Sequence, residues 1–185
     1  MPKFSRTGDG FKKLMESLED IDATKLKTGW LESARYDDGT PVAGIMYQNE
    51  VGNPSRSIPA RPFMRPAISD NEGKWSSTTG RGFKAVVDGK KTADEVMNAL
   101  GLQVVGDIKN AIVGGDHAAL SPVTIALRKH RNDGKNIGGA FVGAVAAAIK
   151  EGKTGSGELG DQSFGNKDPL RDSGYAISSL THEVI

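Results

Sequence analysis

Between Thr92 and Gly115 the chain carries its most constraining pattern. Val96, Leu100, Val104, Ile108 and Ile112 recur every four residues, flanked by Met97, Val105 and Ala111. An α-helix turns once in about 3.6 residues, so this spacing lays them along one stripe, and a stripe so apolar has to be covered by the rest of the fold. Thr92 and Glu95 have the capping-box spacing, in which hydroxyl and carboxylate satisfy backbone N–H groups that the first turn leaves open. Gly114-Gly115 marks the end. Gly101 and Gly106 weaken the helix, each by up to about 1 kcal/mol relative to Ala; they are read as places where another backbone comes close. A chain of 185 residues has room for one such core and is short for two, so a single domain over 1–185 is expected.

Fainter patterns fill in around that helix. Phe11, Leu14, Met15 and Leu18 predict an amphipathic helix over 11–20 that packs on the core. Residues 25–36, with their imperfect alternation, predict a strand. Asp37-Asp38-Gly39-Thr40 is a turn. Pro41 suits the first turn of a short helix that runs to Glu50 and ends before Gly52, with a strand as the alternative because the segment has β-branched and aromatic residues. Pro54, Pro59 and Pro62 make 52–62 irregular. Gly73, Gly80, Gly82 and Gly89 predict helical pieces with breaks over 63–91. Ser121-Pro122 opens another helix, with Ser at the cap and Pro in the first position. Phe141, Val145 and Ile149 mark an Ala-rich helix over 140–150, and residues 179–185 a terminal strand. Residues 1–10 read as a mobile arm and 152–168, rich in Gly, Ser, Asn and Asp, as a long flexible loop.

Composition excludes several classes. Lys and Arg total 24 against 23 Asp and Glu, a net charge of +1, which does not suit a dedicated nucleic-acid binder. With no cysteine, neither a disulfide framework nor a thiolate metal site is available, as expected of folding in a reducing cytoplasm. No apolar run reaches the length of a membrane span, and the first residues lack the apolar core of a signal peptide.

Motifs for chemistry fare no better. Gly155-Ser156-Gly157-Glu158-Leu159-Gly160 has dinucleotide-fingerprint spacing, but follows a helix within a polar linker, where no strand delivers it to a helix N-terminus. Gly152-Lys153-Thr154 lacks the glycine of a P-loop five residues earlier, where Ala147 stands. His117, His130 and His182 have no metal-site spacing. Glu32, Glu50 and Asp172 are read as surface carboxylates. Arg128, Lys129, His130 and Arg131 cluster at a helix end, where they favour the helix dipole; Arg128, Lys129 and Arg131 are also candidate phosphate contacts. The chain is expected not to be an enzyme and to need no cofactor or metal.

One segment stands out: Glu50-Val51-Gly52, followed by Ile58-Pro59-Ala60-Arg61-Pro62-Phe63-Met64-Arg65-Pro66. Its prolines stiffen the backbone and lower the entropy lost on docking. Phe63 and Met64 are apolar anchors, and Arg61 and Arg65 are planar, permanently charged donors. Glu50, Arg61, Pro62, Phe63, Met64 and Arg65 are therefore candidates for an intersubunit interface. The competing reading packs the loop on its own domain, with Arg61 holding a carboxylate such as Glu50.

With that segment the chain resembles the tail-completion, neck or virion-morphogenesis proteins (minor tail components) of tailed bacteriophages. The resemblance extends, in order, through Gly29-Trp30-Leu31, Val42-Ala43 leading to Asn49 to Gly52, Ile58 to Pro66, Leu100-Gly101 ahead of Asp107-Ile108-Lys109, Leu120 to Ile125, and Pro169-Leu170-Arg171-Asp172-Ser173-Gly174. It covers residues from about 25 to the C-terminus. The stretch 132–167 departs from it as an insertion holding one helix and a flexible loop. The resemblance implies an α+β fold, a small antiparallel sheet packed with several helices. It implies a structural protein made in the host bacterial cytoplasm and found in the virion. There copies of itself would form a six-fold or twelve-fold ring between the head connector or adaptor and the tail tube or terminator, with weak DNA contact in the channel and no membrane. A nucleic-acid-binding module contacting phosphates is the alternative.

Overall fold

The structure, a computed structural model, describes residues 9–132, 137–151 and 169–185. Most of the expected arm at 1–10, the loop 152–168, and the Gly152–Thr154 and Gly155–Gly160 segments lie outside those residues, as does part of the insertion at 132–167.

The elements run α1 (Asp9–Ala23), β1 (Leu26–Gly29), α2 (Val42–Val51), a 3-10 turn (Pro54–Arg56), α3 (Met64–Val87), α4 (Ala93–Gly114), α5 (Pro122–Asn132), α6 (Gly139–Lys150), α7 (Tyr175–Ser178) and β2 (Thr181–Val184). This is an α+β arrangement, mostly helical with one two-stranded antiparallel sheet. In that sheet Leu26 pairs with Val184 and Gly29 with Thr181, and Lys25 and Ile185 exchange backbone hydrogen bonds just beyond it.

The four-residue stripe on α4 forms the centre. Val96, Leu100, Val104, Ile108 and Ile112 are all buried, and the capping box forms in both directions, Glu95 N–H to the Thr92 hydroxyl and Thr92 N–H to the Glu95 carboxylate. On them pack Val42 and Met46 of α2, Phe63 and Ala67 at the start of α3, and Leu170, Ala176 and Leu180 from the C-terminal segment. Fully burying side chains of this size contributes about 1.5–3 kcal/mol each, so α4 is the element the others are organised around.

Four expectations need correction. Residues 64–87 form one continuous helix, not pieces. Its three glycines are tolerated because α3 packs along α4. At Gly82 a Cβ would lie 2.3 Å from Val96 Cγ1, so this glycine sets the close approach of the two helices. Gly106, expected to do so, faces open space, and Gly101 takes the imidazole of His182 instead of a backbone. The predicted strand over 25–36 is regular only over Leu26–Gly29. The helix predicted over 11–20 exists as α1 but contributes no buried residue to the core; Phe11, Leu14, Met15 and Leu18 are exposed.

No described helix is long and apolar enough to cross a membrane.

Candidate functional site

The Glu50–Pro66 segment is where the sequence places most of its candidate residues. The last turn of α2 carries Glu50 on the same buried face as Val42 and Met46, four residues apart. Gly52 then turns the chain at φ 76, and Asn53 and Ile58 close the loop with backbone hydrogen bonds. The returning strand is tied by Arg61 N–H to the Asn49 carbonyl at 2.7 Å.

Glu50 serves there as a cap for α3 supplied from another element. A helix begins with N–H groups that have no partner within it, and Phe63, at the N-cap, has no side chain able to accept. The Glu50 carboxylate does so. Oε2 accepts from Phe63 N (2.7 Å) and Met64 N (2.9 Å), and Oε1 from Arg65 N (3.2 Å) and Arg65 Nε (2.9 Å). Pro66 has no N–H, and Ala67 N already reaches the Phe63 carbonyl. Every donor of the first turn is thereby accounted for, and a negative charge stands at the positive end of the helix dipole. Burial pushes the Glu50 pKa up, but the hydrogen bonds from Phe63, Met64 and Arg65 outweigh it and hold the carboxyl below its usual value.

Arg61 does not touch Glu50. It is 5% exposed and donates from Nε to the Ala118 carbonyl (2.7 Å) and from Nη2 to the Ala119 carbonyl (3.2 Å), fastening the loop to the chain that leads into α5. Burial, and next the nearby Arg128 guanidinium, lower its pKa. Phe63, 2% exposed, sits in the core with its ring 5.8 Å from Trp30 in an edge-to-face arrangement.

The interface reading of this segment is therefore revised. Glu50, Arg61 and Phe63 are internal, Met64 is half-buried, and Pro62 and Arg65 are exposed, with the Arg65 guanidinium bonded to Glu50. The competing reading, packing on its own domain, describes the geometry, except that Arg65 and not Arg61 holds the carboxylate.

The basic cluster on α5 is also engaged. Arg128 Nε lies 3.6 Å from Asp172 Oδ1, and Arg131 Nη2 pairs with Asp172 Oδ2, which removes part of the positive charge that phosphate contacts by Arg128, Lys129 and Arg131 would use. Asp172 has no sequence signal linking it to α5, since some forty residues separate them. The same C-terminal segment is held from the other side by Trp30 Nε1, which donates to the Ala176 carbonyl at 2.6 Å, and by the Tyr36–Tyr175 ring contact at 5.6 Å. Tyr36 is pushed to a higher pKa mainly by burial.

The remaining candidates scatter. His117 Nε2 faces the Ala111 and Ile112 carbonyls at the end of α4. His130 stacks on Phe141 across α5 and α6. His182 lies against Gly101, its Nε2 3.3 Å from Asn98 Oδ1. Glu32 is exposed. Among the described residues no cluster of His, Asp or Glu is arranged to hold a metal ion. Comparison with known protein families, with curated proteins and with solved structures finds no match to this chain.

Gly52 offers a direct check on the tightness of the loop. A Cβ there would lie 2.7 Å from Ala60 N and 3.0 Å from the Ile58 carbonyl oxygen, at a positive φ. Gly52→Ala is expected to destabilise the chain by about 2–4 kcal/mol. Gly39→Ala, also at positive φ but with open space around it, should cost only about 1 kcal/mol. Denaturant midpoints at constant m value measure both; equal costs would mean that the loop has room to relax.

Proposed function

We propose that this chain is a structural subunit of a tailed-bacteriophage particle, a neck or tail-completion protein whose copies form a ring joining the head connector to the tail. The reading rests on the resemblance of the ordered segments to that family, and the observation that supports it is the way those segments meet. Glu50 caps the helix that follows Arg61–Phe63, Arg61 fastens the carbonyls just before Leu120-Ser121-Pro122, and Asp172 of the Pro169–Gly174 piece binds Arg128 and Arg131 on the helix that Ser121-Pro122 opens. Segments far apart in the chain are thus bound into one brace.

In this reading the brace holds the subunit rigid, and ring contacts fall on exposed side chains. Tyr47, Val51, Leu102 and Val113 are large apolar residues facing solvent, and they are the side chains that such contacts would cover.

Mass spectrometry of purified particles from the phage encoding the chain should detect it in multiple copies. Disruption of its gene should leave DNA-filled heads and separate tails. Absence of the chain from purified particles, with normal particle yield in the disrupted phage, removes the reading.

A further inference from the structure

Arg61 is a buried charge with no opposite charge beside it among the described residues. It is 5% exposed, and its hydrogen bonds, from Nε to Ala118 and from Nη2 to Ala119, go to neutral carbonyls. Nη1 has no partner among the described residues, and the charged group that bears on the guanidinium is another cation, Arg128. Buried charges in proteins are ordinarily paired, because carbonyl dipoles offset only part of what an ion loses on leaving water. Arg61 and Arg128 both line an open cavity of about 900 Å³ between the loop 52–61 and the start of α5, and no Asp or Glu is among its described lining residues.

The rest of the wall says what an incoming group must look like. Ser121 and Thr124 line the cavity at the N-terminal end of α5. The Ser121 hydroxyl accepts from Thr124 N–H and shares a hydrogen bond with the Thr124 hydroxyl at 2.9 Å. Whichever hydroxyl donates within that pair, the other keeps its proton for an outside acceptor. The carbonyls that hold Arg61 lie just before this cap in the chain, so a guanidinium, a hydroxyl and the positive end of the α5 dipole come together, a combination that favours an anion. Arg128, whose Nε lies 3.6 Å from Asp172 Oδ1, adds a second guanidinium. Two guanidiniums and a hydroxyl suit the three outer oxygens of a phosphate monoester better than the two of a carboxylate. Pro54, Ile58, Pro59 and Leu120 give the wall an apolar side, as in concave sites where a few polar groups orient a small molecule. A nucleic-acid duplex carries its phosphates on a convex surface and has no apolar body to place there.

We propose that this cavity is a binding site for a small phosphate monoester with an apolar body, its phosphate held by Arg61, Arg128 and the Ser121–Thr124 hydroxyls and its body lying against Pro54, Ile58, Pro59 and Leu120. The bound phosphate supplies the counter-charge that Arg61 lacks. The inference stands apart from the phage reading: a chain found in no particle can still bind the ligand, and a virion subunit can lack the site.

The test titrates phenyl phosphate into the isotope-labelled full chain and follows it by NMR, with benzoate, inorganic phosphate and a short DNA duplex as comparisons. The expected dissociation constant for phenyl phosphate is about 300 μM, with shifts concentrated at the Arg61 side chain and the amides of Leu120 to Thr124. Inorganic phosphate and benzoate should each bind about tenfold more weakly, the first lacking the apolar body and the second an oxygen. Saturating phenyl phosphate should also raise the melting temperature, since it binds the folded chain alone. Arg61→Lys, which keeps the charge but not the planar fork, should weaken binding about tenfold. Because that variant also disturbs the bonds to Ala118 and Ala119, Ala60→Glu is the sharper probe. Ala60 is exposed on the cavity wall, and a carboxylate placed there should weaken binding about 30-fold while melting as the wild type does. The proposal is overturned by the absence of a saturable shift up to about 10 mM phenyl phosphate, by shifts centred elsewhere in the chain, by benzoate or the duplex binding as tightly as phenyl phosphate, or by an Ala60→Glu chain that binds like the wild type.

Discussion

Replacing Phe63 with Ala is expected to lower the unfolding free energy by about 4 kcal/mol and the melting temperature by about 8–16 °C. The ring is 2% exposed and lies among Val42, Met46, Ala67 and the α4 stripe. Its removal leaves a cavity and takes from Trp30 its edge-to-face partner. Against a total stability of about 5–15 kcal/mol for a typical domain, the loss is large enough to reduce the yield of folded chain. Phe63→Leu, which keeps most of the volume, should cost under about 1.5 kcal/mol. Thermal melting of the isolated chain separates this from a docking role. If Phe63 anchored a neighbouring subunit, the alanine variant would melt like the wild type and fail only in assembly.

The second large effect is at Glu50. Glu50→Gln retains the shape but replaces one acceptor oxygen by an NH2 group, which then faces the N–H donors of Phe63, Met64 and Arg65. The expected cost at pH 7 is about 3 kcal/mol, the scale of buried hydrogen bonds to a charged group lost together with the desolvation of donors left unpaired. The sign of its pH dependence follows from linkage. The folded-state pKa lies below the ordinary 4.5, so the unfolded chain takes up its proton first. The contribution of Glu50 is complete above pH 4.5 and is lost as the pH falls through the lower folded value. The gap between wild type and Glu50→Gln in urea melts should therefore be widest near neutrality and narrow below pH 4.5. Asp107, lowered by its bonds from Lys74 and Trp75 despite opposing burial, remains in both proteins, so the variant keeps part of its acid sensitivity. A gap that is constant from pH 7 to pH 3 would show that the charge of Glu50 is not what holds the loop.

Local rules read from the sequence held where a segment's own residues complete the physics. The capping box at Thr92 and Glu95, the Ser121 cap and the turn at Asp37–Thr40 needed no distant partner. They failed where packing overrode propensity. Gly73, Gly80 and Gly82 argued for breaks in 63–91, yet contact with α4 carries the helix through all three. The stripe on α1 was legible, but periodicity states only that one face is apolar, not what covers it.

The candidate site divides in the same way. That Glu50, Arg61, Phe63 and Arg65 matter was visible in the stiff, proline-rich segment that contains them. Their roles were not, because a role is a distance: Glu50 to three backbone N–H groups, Arg61 to two carbonyls nearly sixty residues on, Arg128 and Arg131 to Asp172. By itself the sequence determined the capped helices, such as α4, and which residues are stiff, charged or apolar, since those depend on neighbours a few positions away. Only the tertiary structure decided that the arginine–phenylalanine segment faces inward and the α1 stripe outward, because burial is settled by what the rest of the chain brings alongside.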